Sequence, residues 1–146
     1  MYYGIHAWGN AHETHIRKVI LLQKRAIRTI CHTSYLAHSH PLFKEMKILN
    51  FTDMYNYQCA IFMFQCYLQI LPKSLLKLFI LNCNIHHYST RNAENFHLPL
   101  VHTTSYKRTV IFNGPCLWST IPRKIRELTF VNTFKRKYKK YLMDVY

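Results

Sequence analysis

Chemistry in this chain has few residues to rest on. Its six acids, Glu13, Glu45, Asp53, Glu94, Glu127 and Asp144, stand alone in the sequence, so no pair is spaced to hold two metal ions or to act as acid and base on one helix face. Gly4, Gly9 and Gly114 are the only glycines, which leaves no glycine-rich phosphate loop. Ten histidines raise the question of a metal: His12 and His15 lie one helical turn apart, and His32, His38 and His40 follow near Cys31. Zinc sites use tighter paired spacing, and the His38/His40 pair sits against Pro41, so the expectation is surface histidines, no metal and no cofactor. Cys31, Cys59, Cys66, Cys83 and Cys116 offer many accidental Cys–His combinations and no CxxC pair, which argues against a zinc ribbon, a disulfide framework and a catalytic thiol.

The chain does carry charge. Twenty Lys and Arg against six acids give 146 residues a formal net charge of +14. With 49% hydrophobic residues it is too apolar for a disordered basic tail, so it should fold as one small unit with its charge outside. A polyanionic partner is the usual reason to tolerate such self-repulsion, nucleic acid first and an anionic membrane second.

The elements that must position those cations are mostly helical. From Ile16 to Cys31 the period puts Ile16, Val19, Ile20, Ala26, Ile27 and Ile30 on one side and Arg17, Lys24 and Arg28 on the other, with Lys18 and Arg25 beside them. Five cations without an intervening acid favour phosphate contact over a solvated face of mixed sign. Pro41 to Met46 reads as a short helix with proline in first position. Thr52 or Asp53 then caps a long helix to Leu71, stopped by Pro72 and apolar almost all round, the expected centre of the core. Pro72 to Leu81 adds a short helix. Asn82 to Ser105 loses periodicity, Tyr106 to Phe112 suits a short extended segment, and Asn113-Gly114-Pro115 signals a turn. Short helical segments follow from Cys116 and from Pro122. In the last helix Val131, Phe134, Tyr138, Tyr141 and Leu142 share a side, with Lys135, Arg136, Lys137, Lys139 and Lys140 around the rest. The expected fold is therefore mainly α: a small helical domain with a central apolar helix, an irregular or short β segment around 97–112 and a basic amphipathic helix at the C-terminal end. Its regions are 1–81, a linker at 82–105 and a tail at 106–146. No signal peptide is legible at Met1-Tyr2-Tyr3-Gly4, and the apolar run Tyr57 to Leu71, at about fifteen residues, is short for a bilayer. The expectation is an intracellular protein, in cytoplasm or nucleus, without a membrane span.

Several stretches taken in order resemble one family. Tyr3-Gly4-Ile5-His6-Ala7-Trp8-Gly9-Asn10, Leu22-Gln23-Lys24-Arg25-Ala26-Ile27-Arg28-Thr29-Ile30, His40-Pro41-Leu42-Phe43 and Leu49-Asn50-Phe51-Thr52-Asp53 resemble the region after the palm in reverse transcriptases of non-LTR retrotransposons, of the jockey and CR1 type of LINE element. Asn113-Gly114-Pro115-Cys116-Leu117-Trp118-Ser119-Thr120-Ile121-Pro122 and Phe134-Lys135-Arg136-Lys137-Tyr138-Lys139-Lys140-Tyr141-Leu142 look like the C-terminal end of the same polyprotein. The resemblance spans nearly the whole chain, yet the paired aspartates and third carboxylate on which such a polymerase depends are missing.

What the resemblance implies is a catalytically silent, thumb-like and tail fragment of an RNA-directed DNA polymerase from a transposable element, with Met1 an internal methionine serving as start. Arg17, Lys18, Lys24, Arg25 and Arg28 would lie along a template-primer duplex and Lys135, Arg136, Lys137, Lys139 and Lys140 would hold RNA or DNA, both through phosphates and without base readout. No small-molecule substrate is expected. Tyr2, Tyr3, Trp8 and Trp118 fit packing better than base stacking, with Trp118 an anchor for the last segment. The alternatives are a basic protein- or membrane-surface module using the Val131 to Leu142 face, or a fragment that does not fold alone and leaves Tyr2, Tyr3, Ile5 and Trp8 exposed.

Overall fold

A computed structural model describes residues 3–85 and 92–144, and it is mainly helical. The helices are α1 (Ile5–Trp8), α2 (Glu13–Ile30), α3 (Ser39–Glu45), α4 (Phe51–Tyr67), α5 (Lys73–Leu76), α6 (Thr104–Lys107), α7 (Val110–Thr120), α8 (Arg123–Arg126) and α9 (Val131–Asp144). Strand pairing among the described residues is a single antiparallel bridge between Leu81 and Phe96.

The central helix is α4. Asn50, not Thr52 or Asp53, caps it: its side chain accepts from the Asp53 amide at 2.9 Å, while its own amide group donates to the Asp53 carboxylate at 2.8 Å. Nine of its residues are buried, on all sides, as the lack of an amphipathic pattern requires. Around it pack α1, α2, α7 and α9. Phe64 stacks on Phe134 of α9 at 4.1 Å, and Trp118 of α7 meets Phe64, Tyr67, Phe96 and Phe134. The regions 1–81 and 106–146 thus build one aromatic core together.

Three helices end on a shared kind of left-handed stop, α2 and α3 within a residue of expectation and α4 short of it. Helix α4 stops at Tyr67 rather than Leu71, because Gln69 turns left-handed (φ 55°) and the amides of Gln69 and Ile70 fold back to the carbonyls of Cys66 and Gln65. His32 (φ 50°) closes α2 and Lys47 (φ 52°) closes α3 in the same way. None of these is glycine, so the usual sequence signal for such a stop is missing. Helix α3 begins two residues before Pro41, whose ring fits its first turn, where amides lack helical partners in any case. The Pro72 to Leu81 helix shortens to Lys73–Leu76.

The larger correction is at 106–115. Tyr106 to Phe112 is not extended, and Asn113-Gly114-Pro115 is not a turn: α6 and α7 cover these residues, with Pro115 inside α7. Tertiary packing overrides the local signal. A Cβ on Gly114 would fall 2.6 Å from Met63 Sδ, so glycine there lets the backbone of α7 lie against α4. Asn113 faces the core side of α7 and donates to Tyr55 Oη at 3.2 Å. Residues 97–103 hold no regular structure, in keeping with the loss of periodicity there.

Candidate nucleic-acid interface

The two basic helices lean on one patch of core. Ile16, Val19 and Ile20 of α2 and Leu142 and Met143 near the end of α9 all pack against the cluster of Ile5, Leu49, Phe51, Met54, Tyr55 and Cys59. Each helix turns its cations away from that cluster. Arg17, Lys18 and Arg25 are exposed on α2, and Arg136, Lys137, Lys139 and Lys140 are exposed on α9; Lys24 and Lys135 are half-buried. Among the described residues none of these forms an ion pair, whereas Arg123 forms two, with Glu127 at 2.6 Å and Glu94 at 3.3 Å.

Arg28 is the exception among the expected contacts. Its Nε donates to the Ala37 carbonyl at 2.8 Å, its Nη1 reaches the Lys24 carbonyl at 3.5 Å, and its guanidinium carbon lies 6.0 Å from the Tyr35 ring centre. It fastens the loop after α2, and only part of its donor fork remains for an outside ligand. The apolar side of α2 is also narrower than its sequence pattern suggests. Ile27 is buried and Ile16, Val19 and Ile20 are half-buried, but Ala26 and Ile30 are exposed. On α9 the expected face is the inner one: Phe134 and Tyr138 are buried, and Val131, Tyr141 and Leu142 pack around them.

The aromatics that could stack on bases divide. Trp118, 1% exposed, is the anchor expected of it. Trp8 packs on Phe51 at 5.5 Å, Ile5 is fully buried, and Tyr3 stands 98% exposed; Tyr2 lies outside the described residues. Asn10 ties the end of α1 to the junction of α6 and α7 by donating to the Arg108 carbonyl at 3.1 Å.

Other chemistry finds little support in the geometry. His12 caps α2, accepting from the Thr14 amide, and no three His, Cys, Asp or Glu among the described residues come together as metal ligands. Cys59 Sγ does approach His6 Nδ1, at 3.8 Å. Burial lowers the His6 pKa and raises the Cys59 thiol to about 11, so both stay neutral, the reverse of a thiolate–imidazolium pair.

Sequence reasoning missed Lys107 and Lys124, both exposed on short helices. It also missed Leu21 and Leu22, which stand outside on α2 among the cations. At 100° per residue both point away from Ile27, so that signal was present in the helical wheel. No helix among the described residues is long and apolar enough to cross a membrane. Comparison with protein-family models, curated proteins and solved structures finds no match for this chain.

Proposed function

We propose that this chain is a catalytically silent C-terminal segment of a non-LTR retrotransposon reverse transcriptase that holds RNA or DNA through the phosphate backbone, without reading bases. The observation that supports it is the set of exposed cations on α2 and α9 that form no ion pair among the described residues, carried outward by a core built from both ends of the chain. Phosphates are the ligand such a surface suits: many charges of one sign, with only Glu13 at the start of α2 and Asp144 at the end of α9 as acids on these helices. The face of α9 that would enter a lipid surface is instead occupied, with Phe134 0% and Tyr138 2% exposed, which favours nucleic acid over a membrane for this helix.

The test is the salt dependence of binding to DNA duplex, RNA duplex and RNA–DNA hybrid. Contact with about five phosphates gives a slope of log K against log salt of roughly −4 to −5. Arg136→Glu with Lys140→Glu should weaken all sequences alike and flatten that slope by about 2. Absence of binding at low salt to any of the three would overturn the reading.

A further inference from the structure

Phosphate contact accounts for the cations of α2 but not for its leucines. Leu22 is 60% exposed and Leu21 45%, on a helix whose buried direction is marked by Ile27 at 3%. On a 100° wheel the outward direction falls between Leu21 and Leu22, with Lys18 and Arg25 between them and Ala26 and Thr29 beside Leu22. The outer face therefore interleaves apolar and cationic side chains over about three turns, and none of its residues is acidic.

That interleaving discriminates between occupants. A nucleic-acid backbone would pair the cations and leave the leucines against water or sugar. A lipid surface would take the leucines, but Lys18 and Arg25 occupy the middle of the face and would be carried into the apolar layer with them. A second copy of α2 would set cation against cation. The surface that complements all of these side chains is a helix bearing its own leucine-like residues in a stripe, with carboxylates between them.

We infer that the outer face of α2 is a docking surface for an acidic amphipathic helix of a protein partner. Leu21, Leu22 and Ala26 supply the apolar contact, while Lys18 and Arg25 pair its carboxylates and fix its register. The surface is small, so the complex is a transient one.

The probe is a synthetic 18-residue helical peptide with leucines three and four apart and glutamates between them; its control is an isomer of the same composition in which the stripe is scrambled. Titration of the full chain followed by amide chemical shifts should show perturbations centred on α2, with the scrambled isomer at least about tenfold weaker. Leu21→Ser with Leu22→Ser, both outside the core, should lose about tenfold in peptide affinity while leaving the salt-dependent binding to duplex DNA unchanged. The two readings thus fail separately. Equal binding of the scrambled isomer, or unchanged binding by the double variant, would overturn the inference. So would a result in which phosphatidylserine-containing vesicles, and not the striped peptide, bind through Leu21 and Leu22.

Discussion

Single residues decide how close the helices can come. A Cβ on Gly9 would sit 2.5 Å from both the Ile5 carbonyl oxygen and Tyr55 Cδ2, whereas on Gly114 the collision is with the thioether of Met63. Backbone cannot yield as a methionine side chain can, and overpacking of this kind costs about 1–3 kcal/mol where neighbours relax. Gly9→Ala should therefore lie at or beyond the upper end of that range and Gly114→Ala near the lower, a difference that urea unfolding of the two variants checks. Both glycines belong to stretches on which the family resemblance rests. Their role here is packing.

At the scale of elements, the left-handed stops carry a testable cost. A non-glycine residue in that region is disfavoured by roughly 1–2 kcal/mol, partly offset by the smaller entropy loss of a side-chain-bearing residue. Gln69→Gly should consequently stabilise the fold by about 0.5–1 kcal/mol, read as a rise in the urea midpoint at constant slope. The same positions explain what could be read beforehand. Helices α2 and α9 were legible because apolar spacing records burial, and α4 because it is apolar almost all round; Phe134 and Tyr138 are buried where the spacing puts them. The end of α4 was not, because Gln69 looks like an ordinary polar residue, whereas α2 and α3 end within one residue of Cys31 and Met46, where the sequence pattern stops. Helix α7 was hidden for another reason: Asn113, Gly114 and Pro115 are turn formers in isolation, and only Met63 and Tyr55, about fifty residues earlier, make a helix of them. The cations of the candidate interface were visible as residues, but Arg28's engagement with Ala37 depends on how the loop returns.

For the whole molecule, buried titratable groups set the pH range of stability. Burial pushes the Cys59 thiol to about 11 and the Cys66 thiol to about 12, and also raises Tyr55 and Tyr138. Each is favoured neutral in the fold, so above about pH 9 the unfolded chain loses protons that the native one keeps, and stability falls through pH 11–12. His6 works in the opposite direction: its lowered pKa means that stability is present above 6.5 and is lost as pH drops through and below that value. Melting followed by circular dichroism should be cooperative, with a plateau between about pH 6.5 and 9 and a decline on either side. A non-cooperative melt would support instead the idea of a fragment unable to fold alone. Buried clusters shared by both ends argue against that outcome: Phe64 packs with Trp118, Phe134 and Tyr138, and Phe51, Met54 and Tyr55 with Leu142 and Met143.

That shared core has a consequence during synthesis. Phe64 is covered by Phe134, which leaves the ribosome 70 positions later, and Tyr57 by Tyr138, later still. Until then α4 has α1 and α2 to pack against but not α9, at translation speeds of about 5–20 residues per second. The nascent chain therefore spends several seconds with that aromatic face of α4 open to solvent, and the fourteen-residue α9 is the element that closes it.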